Sequence, residues 1–167
     1  SLFKTWGVFV MINLFHGTNI LFDTIELSKC RPYKDFGKGF YLTDIRQQAE
    51  EMAIRRTKIS CEGVPVVLTF SFDDELLSNG GLNVLRFDNP SVEWANFILK
   101  NRMEKNFRHE YDIVIGPVAD DGVVLQLDLY LRHLITLEQL VKELTYKKLN
   151  NQYCFATECA ISKLMKL

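Results

Sequence analysis

Length, composition and charge describe one globular domain of ordinary size. The chain has 167 residues, of which 47% are hydrophobic and 25% are charged, and its formal net charge is -1. A chain of this length buries roughly 70% of its unfolded surface on folding, which excludes disorder and a tandem of domains. The charge balance excludes a strongly basic nucleic-acid binder.

Cysteine and histidine usage predicts a cytoplasmic protein without a metal. The four cysteines form no Cys-x-x-Cys pair, and we interpret them as reduced, mostly buried thiols. The three histidines show no zinc-binding spacing. No run of about 18 apolar residues occurs, so no membrane span is expected. Residues 1–10 are interpreted as an N-terminal extension or expression remnant, and residues 11–167 as a single domain.

The apolar pattern of the first half predicts strands around one helix. Ala49 and Ala53 share a helical face, and Thr43 or Asp44 is expected to cap a helix that runs to about Lys58. The predicted strands are Val8 to His16, Gly37 to Thr43, Val64 to Phe72 and Leu82 to Phe87.

In the second half, helices outnumber strands. The predicted helices are Val92 to Asn106, Asp121 to Arg132, Leu137 to Leu149 with Thr136 as its cap, and a terminal helix from Glu158 to Leu167. The predicted strands are Tyr111 to Val118 and Gln152 to Thr157. Because strands and helices interleave irregularly, the pattern predicts an α+β fold rather than a doubly wound parallel sheet.

Two segments combine glycine with groups that bind ligands. His16-Gly17-Thr18 closes the first predicted strand, and Gly37-Lys38-Gly39 precedes Phe40 and Tyr41 in the second. Glycine weakens a strand unless the backbone must pass close to something, and aromatic rings can stack on a flat heterocycle. The alternative is that His16 and the aromatic rings are ordinary core packing, which composition alone favours.

The same segments carry a resemblance to a known family. His16-Gly17 followed by Gly37 to Thr43 resembles the signature of the ADP-ribosyltransferase superfamily, in the diphtheria-toxin and poly(ADP-ribose) polymerase class. The chain is also similar to a bacterial family of uncharacterised ADP-ribosyltransferase-like domains. That second resemblance covers nearly everything from Met11 onward, through Asp35 to Tyr41, Tyr111 to Asp120 and Asn150 to Phe155.

The resemblance implies a fold and a set of site residues. The fold would be two small antiparallel sheets packed crosswise around an NAD cleft and flanked by helices. His16 would hold the nicotinamide-side ribose by a hydrogen bond, the Gly17 backbone would receive the nicotinamide amide, and Tyr41 would stack on the ring. NAD would be a substrate, and no metal would be needed. The implied NAD-binding residues are His16, Gly17, Thr18, Gly37, Gly39, Phe40 and Tyr41.

The third catalytic position departs from the family pattern. Members of the class carry a glutamate early in a late strand, where Asn151-Gln152-Tyr153 places Gln152 here. With His16 and Tyr41, Gln152 completes the predicted catalytic set. Glutamine can hydrogen-bond ribose hydroxyls but cannot ionise, and loss of a general base is typically worth about 10²- to 10⁴-fold in rate. Transfer of a single ADP-ribose is therefore expected rather than polymer elongation.

Other polar residues near these motifs leave alternatives open. Glu158 could replace the missing carboxylate but ranks below Gln152, because acids just after a strand commonly occupy the first turn of a helix. The Asp120-Asp121 pair is either an acceptor-side base or a solvated turn, and Lys38 either faces the NAD phosphates or is exposed. Arg31 and Asp35 lie in the loop where the adenosine end of a dinucleotide could be held.

Two functions of different classes follow. The first is a cytoplasmic NAD-dependent mono-ADP-ribosyltransferase. The resemblance implies that such an enzyme acts as the toxin of a toxin-antitoxin pair, with an antitoxin protein as its partner. The second is a non-catalytic NAD or ADP-ribose binding module that retains the fold with Gln152 in place of glutamate. A third hypothesis is an interaction domain with an empty cleft. The acceptor, macromolecular or small, is not determined, and a nucleic-acid acceptor is not indicated but stays open. No membrane partner is expected.

Overall fold

Strands and helices alternate along the chain in a computed structural model that describes residues 10–145 and 150–167. The strands are β1 (Met11–Thr18), β2 (Phe40–Leu42), β3 (Val66–Asp73), β4 (Val84–Arg86), β5 (Ile113–Pro117), β6 (Asn151–Phe155) and β7 (Met165–Lys166). The helices are α1 (Arg46–Ser60), α2 (Val92–Met103), α3 (Asp121–Leu131), α4 (Leu137–Thr145) and α5 (Glu158–Ile161). Short 3-10 turns lie at Leu27–Lys29 and Asp74–Leu77.

The strands form two small sheets, which confirms the α+β prediction. One sheet has the order β1-β3-β7, and the other has the order β2-β6-β5-β4. The expectation of purely antiparallel sheets is wrong at one edge, because β4 and β5 pair in parallel. The reason is the connection between them: α2 crosses from β4 to β5, and a crossover of this kind returns the chain in the same direction.

The two sheets pack face to face over an aromatic core. Phe72 of the first sheet meets Phe155 of the second edge-on at 5.2 Å between ring centroids, and Phe70 meets Phe40 at 5.6 Å. The second sheet is covered on both faces at β5, an interior strand whose five residues are all buried. Its outer face is covered by α2, α3 and α4, and this layer includes the fully buried Trp94.

Helix α1 packs directly against β1, and Gly17 makes this contact possible. A Cβ at Gly17 would overlap the backbone of Ala49 and Ala53. The edges of the two sheets are joined where Phe15 and Thr43 exchange backbone hydrogen bonds of 2.8 and 2.9 Å. These two contacts bring β1, β2 and α1 together at one end of the fold.

The ends of several elements differ from the predictions. The terminal helix ends at Ile161 rather than Leu167, because Met165 and Lys166 pair with the otherwise open edge of β3. Helix α1 begins at Arg46 without a side-chain cap, since the Thr43 hydroxyl is hydrogen-bonded to Ile45 and Gln48.

The other boundaries lie close to those expected. Thr136 caps α4 as predicted, because its hydroxyl accepts from the Gln139 backbone N–H. The predictions for residues 1–9 and 146–149 lie outside the described residues. Among the helices that the structure describes, none is long and apolar enough to cross a membrane.

Candidate functional site

A cleft of two adjoining compartments opens where β1, β2 and α1 meet. One compartment, of about 500 Å³, is lined by Gly17, Thr43, Gln48 and Gln152, and we refer to it as the Gln152 compartment. The other, of about 520 Å³, is lined by Phe22, Cys30, Gly39 and Phe40, and we refer to it as the Phe40 compartment. The residues that line both are His16, Lys34, Tyr41, Met52 and Arg56.

His16 is a neutral histidine held in one orientation. Its Nδ1 donates a hydrogen bond of 2.6 Å to the Tyr41 carbonyl oxygen, and its ring lies 4.3 Å from the Phe40 ring. Burial lowers the pKa of His16 to about 4, although the bond to Tyr41 opposes this shift. Because Nδ1 carries the proton, Nε2 is an acceptor, and no residue in the described ranges donates to it. His16 can therefore accept a hydrogen bond from a ligand hydroxyl.

The Tyr41 hydroxyl is hydrogen-bonded to the loop that precedes β2. It donates to the Gly37 carbonyl oxygen at 2.6 Å and accepts from the Phe36 backbone N–H at 3.0 Å. Burial raises the pKa of this hydroxyl well above its ordinary value, so it stays protonated. With the hydroxyl engaged, the ring is the part of Tyr41 that faces the cleft, and the Lys34 ammonium lies 4.8 Å from its centroid.

Gln152 contributes a buried donor without a partner. It lies on β6 opposite Gly116 of β5, and its side-chain Nε2 is inaccessible to solvent with no hydrogen-bond partner within the described ranges. An unpaired buried amide costs about 1–3 kcal/mol, so such groups in folded proteins call for an explanation. A ligand acceptor in the Gln152 compartment would satisfy this donor.

The remaining predicted NAD-binding residues divide into two sets. Gly17 lines the Gln152 compartment, and Gly39 and Phe40 line the Phe40 compartment. Thr18 and Gly37 line neither compartment: the Thr18 hydroxyl is engaged with the backbone of Ile20, and Gly37 lies at the back of the loop.

Close packing explains why positions 37 and 39 are glycine. Gly37 has a φ of 82°, and a Cβ there would press on Asn101. A Cβ at Gly39 would collide with the Cys154 sulfur. As the sequence predicted, the backbone at these glycines passes close to other atoms, but those atoms belong to the protein and not to a ligand.

Sequence reasoning missed most of the positive charge in the cleft. Lys34, Arg55 and Arg56 line the cleft together with Arg31, which the sequence had placed near the adenosine end. Arg55 and Arg56 belong to α1, whose apolar spacing predicts an exposed position for Arg56, and only the packing of α1 beside the loop brings both residues to the cleft. Part of this positive charge is visible in the sequence, because the Arg-Pro-Tyr-Lys run at residues 31–34 places two cations in the loop.

The alternative residues lie elsewhere or have structural roles. Glu158 is exposed in the first turn of α5 and lines neither compartment. Asp120 caps α3, because its carboxylate accepts from the Val123 backbone N–H at 2.8 Å. Lys38 is exposed and donates to the Ser28 carbonyl oxygen at 3.3 Å, outside both compartments. Asp35 lies at the edge of the Gln152 compartment, where it forms an ion pair with Arg102.

The cysteines are reduced but less buried than expected. All four are free thiols, and Cys154 is buried, but Cys61 and Cys159 are exposed and Cys30 is half-buried. The exposed pair lies at helix ends, where composition gives little information on burial. No group of three or more potential metal ligands occurs in the part of the chain that the structure describes.

Comparison with known proteins gives one match. A model of the family described as "Protein of unknown function (DUF3990)" matches residues 12–166. Searches of curated proteins and of solved structures give no match.

Proposed function

The chain belongs to the DUF3990 family, and from the geometry of its cleft we propose that it is an NAD-dependent mono-ADP-ribosyltransferase. The observation that carries the proposal is the meeting of His16, Tyr41 and Gln152, from three separate strands, around one compartment. These are the three side chains for which the sequence resemblance implies catalytic roles. They are 25 and 111 residues apart in sequence, so only folding brings them together.

The chemical state of each residue suits the proposed substrate. The neutral His16 offers an acceptor to a ribose hydroxyl, and Tyr41 offers a ring to a flat heterocycle. Gln152 offers a buried donor that lacks a partner within the described ranges. Lys34 and Arg56, on the boundary of the compartments, would face the phosphates of a dinucleotide whose two halves occupy one compartment each.

The reaction would displace nicotinamide from the ribose through an oxocarbenium-like transition state. His16 and Gln152 would hold the ribose, Tyr41 would orient the leaving ring, and bound NAD would displace water from around these buried side chains. Gln152 cannot take a proton from the acceptor, so the proton released when the acceptor attacks the ribose carbon would pass to a base on the acceptor or to solvent water. Slow, single transfer is the expected outcome.

The test is nicotinamide release and label transfer from labelled NAD in a cell lysate. Wild type should transfer label, and His16→Leu and Tyr41→Leu should reduce transfer at least tenfold. Arg132→Leu, at the exposed residue that follows α3 and away from the cleft, is the control and should match wild type. Absence of both label transfer and nicotinamide release, where a known transferase is active, would contradict the proposal.

The neutral side chain of Gln152 favours a second candidate, a binding module for NAD or ADP-ribose without turnover. Comparing wild type with Gln152→Glu separates the two, with Gln47→Glu on the exposed face of α1 as the control for added charge. A transferase that lacks its carboxylate should release nicotinamide about 10²-fold faster in Gln152→Glu. Tight NAD binding without release in either protein would favour the module.

A cytoplasmic role as the toxin of a toxin-antitoxin pair extends the first candidate. Four free thiols agree with a reducing compartment. If the transferase activity is toxic, expression of wild type should slow growth, and expression of His16→Leu at the same level should not. Equal growth of the two strains would rule out toxicity through this site.

A further inference from the structure

Four cations around the cleft have no anionic partner. Lys34 and Arg56 are half-buried, Arg31 and Arg55 are exposed, and none of them has a carboxylate within 4.0 Å in the residues that the structure describes. By contrast, Lys29 and Arg102, which also line the cleft, are paired with Glu26 and Asp35. Of the unpaired cations, Arg31, Lys34 and Arg56 all line the Phe40 compartment, whereas Arg55 lines only the Gln152 compartment.

The three unpaired cations of the Phe40 compartment are close enough to repel one another. Burial lowers the pKa of Arg56, and the positive charge of Arg31 lowers it further. Burial likewise lowers the pKa of Lys34, with a further contribution from Arg56. Like charges held together in a partly desolvated cleft destabilise the protein unless an anion binds between them. The chain as a whole has a net charge of -1, so this local excess of positive charge does not reflect a generally basic protein.

The position of the cluster fits a group that joins two halves of a ligand. Lys34 and Arg56 line both compartments, and Arg31 lines the Phe40 compartment beside them. Each compartment holds about 500 Å³, which suits one nucleoside half of a dinucleotide. A diphosphate is the anion that lies between two such halves.

Lys34 has a second contact that competes with this role. Its ammonium lies 4.8 Å from the centroid of the Tyr41 ring, a cation-π distance. While Lys34 stays there, a flat ligand cannot occupy the same face of the ring. An anion held by Arg31 and Arg56 would attract the ammonium more strongly than the neutral ring does.

We propose that Arg31, Lys34 and Arg56 form a diphosphate-binding subsite at the boundary of the two compartments, and that a bound diphosphate draws Lys34 away from Tyr41 and so opens the ring to a flat heterocycle. The identity of the heterocycle as nicotinamide rests on the proposed function. The diphosphate subsite does not, because it follows from the cations alone. Since coupling is reciprocal, a heterocycle on Tyr41 strengthens diphosphate binding by the same factor.

Calorimetry with inorganic pyrophosphate tests the subsite. Wild type should bind pyrophosphate, and Arg56→Met should weaken binding about tenfold or more, because it removes charge-assisted hydrogen bonds. Lys58→Met is the matched control: it removes the same charge from the same helix at an exposed position outside both compartments. If Arg56→Met does not fold, Arg31→Met provides the same test, because Arg31 is exposed and its substitution disturbs little packing.

Calorimetry with nicotinamide tests the displacement of Lys34. Nicotinamide is uncharged, so bound pyrophosphate does not attract it by net charge. In wild type, saturating pyrophosphate should increase nicotinamide affinity about fivefold or more, which is a common size for coupling between sites. Lys34→Met should bind nicotinamide in the absence of pyrophosphate as tightly as saturated wild type does, and the coupling should disappear.

The outcomes separate the parts of the proposal. Equal pyrophosphate affinity in Arg56→Met, Arg31→Met and Lys58→Met would overturn the subsite. Nicotinamide affinity that does not respond to pyrophosphate in wild type, or a coupling that persists in Lys34→Met, would overturn the displacement of Lys34. Pyrophosphate binding that depends on Arg56 in a protein that neither binds nor cleaves NAD would support the subsite and contradict the proposed function.

Discussion

The cleft and the region around Asn101, His109 and Tyr111, which we refer to as the wall, contain the same kinds of polar side chain. They differ in whether those side chains have hydrogen-bond partners. In the wall, His109 uses both ring nitrogens: Nε2 donates to the Phe36 carbonyl oxygen at 2.7 Å, and Nδ1 accepts from the Tyr111 backbone N–H at 3.2 Å. In the cleft, His16 uses only Nδ1. The buried wall amide, Asn101, donates to the Phe97 carbonyl oxygen at 2.8 Å, whereas the Gln152 amide nitrogen has no partner in the described ranges.

This difference separates a structural histidine from one that can bind a ligand. Buried polar groups in folded proteins are hydrogen-bonded in more than about nine cases in ten. His109 and Asn101 of the wall are hydrogen-bonded, whereas the cleft combines one buried amide nitrogen without a partner in the described ranges with the acceptor nitrogen of His16, and so has capacity for a ligand. Residue type alone does not separate the two regions, since each contains a histidine, side-chain amides and aromatic rings.

The largest expected effect concerns the packing that forms the cleft. Gly17→Ala should lower the free energy of unfolding by about 3 kcal/mol or more, because the added Cβ overlaps the immobile backbone of α1 at Ala49. Gly80→Ala is the control: it meets no atom within 4 Å and should cost only about 1 kcal/mol for its φ of 81°. Urea unfolding of both variants gives the comparison. Equal losses would mean that α1 does not rest on Gly17.

A comparable effect is expected from pH, and it acts through His16. The folded pKa of about 4 lies below the ordinary value of 6.5, so the unfolded chain binds more protons between these values. The free energy of unfolding should therefore fall as pH decreases from 6.5 to 4, by about 3 kcal/mol from this residue. His16→Gln removes this contribution, so its stability should decrease less than that of wild type over the same range.

Unfolding curves at several pH values check this prediction. Parallel curves for wild type and His16→Gln would show that His16 is not held neutral. The pKa of His109 is also lowered by burial, so His109→Gln should flatten the curve in the same direction. Measuring both variants apportions the effect between the cleft and the wall.

A smaller effect separates the two histidines by function. His109→Leu should lower the free energy of unfolding by about 1–3 kcal/mol, because it leaves a carbonyl oxygen and an N–H of the wall without their partner. Its affinity for ADP-ribose should stay within twofold of wild type. His16→Leu should weaken ADP-ribose binding about tenfold, since it removes the acceptor in the cleft. A loss of affinity in His109→Leu but not in His16→Leu would reverse the assignment of the two regions.

The smallest expected effect is on thiol reactivity. Cys154 lies beneath Gly39 and is fully buried, and burial raises the pKa of its thiol to about 12. In the folded protein, a thiol reagent should modify the exposed Cys61 and Cys159 quickly and Cys154 only after denaturation. Fast labelling of Cys154 in the native state, mapped by mass spectrometry, would show that the packing around Gly39 opens.

The fold was predictable where the signal is local. The β-branched and aromatic residues of the run Val64 to Phe72 located β3 to within two residues, and the predicted buried strand Tyr111 to Val118 contains β5, whose five residues are all buried. The last strand was not predictable, because Met165 and Lys166 form it only by pairing with the open edge of β3. The parallel pairing of β4 with β5 also depends on how α2 crosses the sheet.

The site divides in the same way. The sequence by itself determined the α+β class and singled out His16, Tyr41 and Gln152, because residue types and their order in a motif are present in the chain before it folds. The tertiary structure alone decided which groups are unsatisfied and where charge gathers. Hydrogen-bond partners and repulsion between cations depend on distances across the fold, such as the contact of Lys34 with Tyr41 and the approach of α1 to the loop. No single segment encodes those distances.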